Sequence, residues 1–172
     1  MLRNKHVSNY LKGKVYTALV LSTSLYECEV WCLREGLFNR LRSFHKRCVR
    51  SMCRARLLHA FLHRISSATP FHMLNVMDLD SYYHNRILRW AGHVARMPMT
   101  RAPRQLLTGW VANSRPNGCP EVTWGRTLKK ALKCKGLQVS SKEWRAIAED
   151  RLEWRSRTYS NASFQKLILQ GS

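Results

Sequence analysis

The sequence predicts an all-α fold, an irregular helical bundle with a helical C-terminal extension. Apolar residues recur at three- and four-residue spacings along most of the chain, helix start and stop signals bracket those stretches, and no stretch alternates as a strand does. Length and composition allow a core. The chain has 172 residues, 45% of them apolar, with six Trp, and a chain of this size buries roughly 70% of its extended surface.

The first helix is expected over residues 11–26 and a long second one over 34–56. On the second, Leu37, Leu41, Phe44, Cys48 and Met52 form one apolar stripe. Thr69-Pro70 reads as a helix start, with Thr as N-cap and Pro at the first helical position. The next helix should begin near Asp78 or Asp80 and run to 97, with Tyr83, Ile87, Trp90 and Val94 as its apolar stripe and Pro98 as its stop. Trp90 therefore reads as a core residue.

The stretch WVANSRPNGCPE is rich in Pro, Gly and Asn and divides the chain into a basic helical region (1–109), a loop (110–122) and a helical tail (123–172). In the tail, Thr123 can cap a short helix ended by Gly136. Ser140-x-x-Glu143 is a capping box for a last helix over 141–158, on which Arg145 and Glu149 are spaced to pair.

Charge directs the functional reading. Thirty Lys and Arg face ten Asp and Glu, a formal net charge of +20, and self-repulsion on that scale calls for a polyanionic partner. Residues 18–25 form the best apolar run and fall far short of the roughly 18 residues of a membrane span. The basic side chains lie on several segments instead of one amphipathic helix, so nucleic acid is the expected partner and a membrane is not. Six Cys without a secretory signal read as reduced thiols. The first 26 residues have the composition of a mitochondrial transit peptide, but their apolar pattern runs on without a break, so an ordinary basic helix is the preferred reading. Nothing else in the sequence fixes a compartment.

Acids are absent from 36 to 77 and again from 81 to 120, which places the binding face in the middle of the chain. Arg42, Lys46, Arg50 and Arg54 recur every four residues opposite the expected apolar stripe, with Arg47 beside them. Successive members stand about 6 Å apart along a helix axis, close to the spacing of phosphates on a strand. Arg86, Arg89, His93 and Arg96 repeat the arrangement beside Trp90. The acids of the last helix (Glu143, Glu149, Asp150, Glu153) make it look like scaffold.

No cofactor or metal is called for. Cys48, Cys53, His59 and His63 are zinc-ligand types, but five residues between the pairs is far fewer than in a zinc finger. Cys28 and Cys32 have no second pair at a useful distance. Asp78-Leu79-Asp80 is the one close Asp pair, and helix capping accounts for it better than two-metal chemistry. With no phosphate-binding Gly loop or nucleophile motif either, catalysis by the chain alone is not expected.

The order of segments resembles the region after the palm in LINE-type non-LTR retrotransposon reverse transcriptases. Tyr16-Thr17-Ala18-Leu19-Val20-Leu21-Ser22-Thr23-Ser24-Leu25-Tyr26, followed by Glu29 and Trp31, is similar to the family's VLSTLLYGSETW. Residues 41–50, LRSFHKRCVR, resemble RLxxFHxRCLR, and residues 88–97, LRWAGHVARM, resemble LRWxGHVxRM. Arg101 and Pro103, then Gly118, Pro120 and Trp124, then Glu149-Asp150-Arg151 with Trp154-Arg155 fit the later RxP, GRP…W and DRxxWR. The likeness covers residues 10–158.

The resemblance implies a thumb-like region and tail that grip RNA template or primer–template duplex without sequence preference. The palm with its paired aspartates would lie upstream, Met1 would open a truncated frame, and an upstream polymerase fragment would be a possible partner. Two positions depart from the pattern: Glu27 replaces a Gly, which a helix would tolerate, and Cys119 replaces an Arg. Three other readings stay open: a domesticated basic subunit of a ribonucleoprotein or mitochondrial particle, a product without a role, and a polymerase whose palm is supplied in trans.

Overall fold

The computed structural model describes residues 6–53, 68–108, 123–137 and 143–159, with 2, 4, 66 and 140 besides. Among the described residues the regular structure is helical and no strand forms, as the sequence predicts. Two compact units are present. The first comprises Met1–Cys28 and Leu33–Tyr83, the second Glu29–Cys32 and His84–Ser172. The division falls inside the basic region; the loop at 110–122 lies outside the described residues.

In the first unit, α1 (Asn9–Val15) starts where the Ser8 hydroxyl accepts the Leu11 N–H at 3.3 Å. It runs on through a π-helical stretch, Tyr16–Leu21, and an α-turn, Ser22–Ser24. α2 (Glu35–Met52) and α3 (Thr69–Leu74) follow. Pro70 sits in the first turn of α3 as expected, but the cap is Ala68, not Thr69. α3 ends at Asn75, whose φ of 51° is left-handed, a conformation Asn accepts through its short polar side chain. α1 and α3 pack closely enough that a Cβ on Gly13 would lie 1.9 Å from the Leu74 carbonyl oxygen.

The buried face of α2 differs from the expected stripe. Phe38, His45, Val49 and Met52 are buried, whereas Leu37 and Phe44 are 49% and 42% exposed. The reason is His45: read as polar, it is placed outside, yet its ring is sequestered by two hydrogen bonds and turns the helix by about one residue. The Met77 carbonyl can only accept, so His45 Nε2 donates to it (3.0 Å), and Nδ1 accepts the Tyr16 hydroxyl (2.9 Å). Burial drives both groups toward neutrality, lowering the His45 pKa and raising that of Tyr16.

Glu27 also differs from expectation. It is not helical: it stands in the turn closed by the Cys28 N–H donating to the Leu25 carbonyl (3.2 Å), with a φ of 54°. Glycine, not glutamate, suits that backbone.

α4 (Leu79–Ala95) begins in the first unit and continues into the second after Tyr83. The Asp pair at its start divides its work. Asp78 Oδ1 accepts the Ser81 N–H at 2.7 Å and caps the helix, while Asp80 binds Arg42.

The second unit adds α5 (Ala102–Thr108), α6 (Trp124–Cys134), α7 (Glu143–Glu149) and α8 (Arg151–Tyr159). Thr123 caps α6 by accepting the Arg126 N–H at 3.4 Å, and Gly136 follows its end with a φ of 74°. The capping box forms: the Ser140 N–H donates to Glu143 (2.8 Å) and the Glu143 N–H to the Ser140 hydroxyl (3.4 Å). The expected last helix is two helices, because Asp150 draws the Leu152 N–H to its carboxylate (2.7 Å) and restarts the chain as α8.

α8 anchors the unit. Trp154 is 2% exposed, donates its indole N–H to the Leu88 carbonyl (3.0 Å), and lies over Gly92, where a Cβ would come within 2.2 Å of Nε1. Trp144 packs on it with ring centroids 5.9 Å apart.

Candidate nucleic-acid interface

The two basic helices named from sequence have different fates. On α2, Arg42 is consumed within the first unit. Its guanidinium donates to both carboxylate oxygens of Asp80, Nε at 2.8 Å, as well as to Glu35, and stacks over Phe38 with the guanidinium carbon 4.5 Å from the ring centroid. These partners raise its pKa further. The acid-free window hides them: Glu35 and Asp80 stand just outside its two ends, and the fold folds them back onto it. Arg42, expected on the binding face, is thus engaged in ion pairs within the first unit. Lys46 and Arg47 are exposed and Arg50 is half-buried; Arg54 lies outside the described residues.

On α4 the arrangement survives and gains members. Arg86, Arg89, Trp90, His93 and Arg96 line one open cleft of about 650 Å³, and Arg151, Trp154 and Arg155 of α8 complete it together with Glu29. On both helices the spacing explains the convergence, since residues three and four apart share a face. Glu29 is the one acid among these lining residues. It accepts from Arg86 Nε at 2.9 Å, and its backbone carbonyl accepts the Trp124 indole N–H at 2.8 Å, which holds it in the cleft wall.

Arg96 donates to the Ala148 carbonyl at 2.6 Å, and burial, then the neighbouring Arg151 charge, lowers its pKa. Arg96 is half-buried and Arg151 exposed, so their like charges oppose each other across the cleft wall.

Trp90 is corrected as well. α4 buries Ile87, Leu88, Ala91 and Val94, and Trp90 is only half-buried, with its ring 5.7 Å from that of His93. Small Ala91 takes the inward position that periodicity assigned to the indole. α8, read from sequence as scaffold, also brings Arg151 and Arg155 to the cleft. Sequence reasoning missed them because it weighed the acids of that helix over its arginines; the Arg151-x-x-Trp154-Arg155 spacing, one helical face, was the available signal.

Of the zinc-ligand types, Cys48 and Cys53 are half-buried, and His59 and His63 lie outside the described residues. The Cys53 thiol donates to the Pro70 carbonyl at 3.5 Å, and burial raises its pKa. Among the described residues no helix is long and apolar enough to cross a membrane.

No family model and no solved structure matches the chain. It is similar to an uncharacterized transposon-derived protein of Caenorhabditis elegans, 26% identical over 147 residues, which make up 84% of this chain and 52% of that protein. The chain thus spans about half the length of the relative it matches.

Proposed function

We propose that this chain derives from a LINE-type retrotransposon reverse transcriptase and corresponds to the thumb and tail beyond its catalytic centre, acting by gripping nucleic acid and not by catalysis. One observation carries the binding half: five guanidiniums, from α4, the turn just after it and α8, share one cleft with a single carboxylate. A solvated surface ordinarily interleaves opposite charges; a concave site with this imbalance concentrates positive potential and draws polyanions. Likeness to a transposon-derived protein supports the origin. The stretch Leu88–Met97, which carries the resemblance to the reverse transcriptases most strongly, also supplies Arg89, Trp90, His93 and Arg96 to the cleft.

Phosphate contacts release counterions, so affinity should fall steeply with salt, with a slope of log K against log salt of roughly −0.9 per engaged phosphate on duplex DNA. Four to six contacts correspond to a slope of about −4 to −5. Fluorescence anisotropy of a generic labelled hairpin across salt concentrations reads this directly. Replacing Arg89, Arg151 and Arg155 together by Gln should flatten the slope by about 2 to 3 and weaken binding regardless of sequence. A slope near zero for the unaltered protein would sink the proposal.

A further inference from the structure

The cleft is concave, it presents an aromatic face, and its charges are unevenly placed. A volume of about 650 Å³ falls in the range of sites that enclose a small organic molecule. A double helix, whose grooves alone are roughly 6–12 Å wide, can touch the rim of such a site but cannot enter it. One or two unpaired nucleotides can. Trp90 is half-buried on the wall, with His93 beside it, while smaller residues of α4 fill the core. A flat indole on the wall of an arginine-lined cleft offers the two things a single strand needs, a stacking surface and phosphate contacts. Glu29 engages Arg86, while Arg96 and Arg151 line the same cleft and can receive the phosphate. Both line the cleft and each feels the other's charge, which an anion bound by both would offset.

We infer that the cleft takes single-stranded nucleic acid, stacking an unpaired base on Trp90 while Arg96 and Arg151 hold the adjoining phosphate. The inference rests on the nucleic-acid reading above and narrows it from any duplex or hairpin to an unpaired segment. Stacking tolerates every base, so the preference is for strandedness and not for sequence.

The test compares, on the full chain, a labelled unstructured twelve-nucleotide strand with the same strand paired to its complement, at one salt concentration. The single strand is expected to bind about tenfold tighter. Trp90→Leu should cost about tenfold on the single strand and less than about twofold on the duplex, and Trp90→Phe should recover most of the loss. Should the Leu variant fold poorly, the unaltered protein supplies a second readout: a 2-aminopurine in the strand loses fluorescence when it stacks. Equal affinity for the two forms, or 2-aminopurine emission unchanged at saturation, overturns the inference while leaving general nucleic-acid binding standing. Failure of both forms to bind overturns the two together.

Discussion

The left-handed residue in the turn at 25–27 gives the sharpest test of the backbone. Three described residues have φ between 51° and 74°: Asn75, Gly136 and Glu27. The first two are residue types that accept this region, and Glu27 is not. A residue with a Cβ costs about 1–2 kcal/mol there relative to a right-handed conformation. Glycine removes that cost but gives back about 0.4–1 kcal/mol through the greater freedom of the unfolded chain. Glu27→Gly should therefore stabilise the first unit by about 0.5–1 kcal/mol, raising its melting temperature by roughly 2–8 °C for a unit of fewer than 100 residues. Removing an acid from a chain of charge +20 works slightly in the opposite direction. Glu27→Ala, which removes the same charge while keeping a Cβ, isolates the backbone effect. Thermal and urea denaturation followed by circular dichroism would rank the three proteins. If Glu27→Gly melts at or below Glu27→Ala, the left-handed assignment and the reasoning built on it are wrong.

Three further outcomes are expected. Gly92→Ala should destabilise the second unit by about 1–3 kcal/mol, because the added methyl must displace the Trp154 indole, whereas Gly36→Ala, with nothing within 4 Å of the new Cβ, should be neutral or stabilising by up to ~1 kcal/mol; paired urea melts decide. Arg42→Gln should lower stability by about 1–2 kcal/mol, since it removes the charged hydrogen bonds to the partly buried Asp80, and should leave hairpin affinity nearly unchanged; a loss of affinity without a loss of stability would place Arg42 on the binding face. The depressed pKa of His45 means that the unfolded chain binds a proton that the folded one resists, so its contribution is present above about pH 6.5 and is lost as pH falls through the lower folded value. His45→Gln should flatten stability against pH below 6.5, and an unchanged acid limb would refute the buried neutral assignment.

The fold class was legible because helix periodicity and capping are local. Ser140, Glu143 and Thr123 cap as their spacing indicates, with hydrogen bonds of 2.8–3.4 Å. What the sequence did not disclose depends on long-range partners. His45 turns α2 because Tyr16 and Met77, 29 and 32 residues away, satisfy its ring. Arg42 leaves the basic face because Asp80, 38 residues on, takes it. Half of the cleft was visible as a row on α4; Arg151 and Arg155 were hidden because α8 reaches that row only through the tertiary contact of Trp154 with Leu88 and Gly92. A run of like charge in sequence is thus a poor guide to which of its members stay exposed, and the acids flanking it are the first place to look.

Trp154 and Gly92 also bear on why the cleft exists. A tryptophan buried to 2% and bonded through its indole to the Leu88 carbonyl would anchor α8 whatever stood beside it in sequence. Its neighbours at one and three residues, Arg155 and Arg151, are arginines that the anchor carries to a row already bearing Arg86, Arg89 and Arg96. Bringing like charges together opposes folding, and stability alone would favour uncharged residues there. The absence of a glycine Cβ at position 92 permits the close approach that creates this repulsion. An arrangement that brings like charges together through a tight contact fits the anion-binding role proposed for the cleft better than it fits a purely structural one, and the basic row of α2, with Arg42 paired to Asp80, fits that role less well.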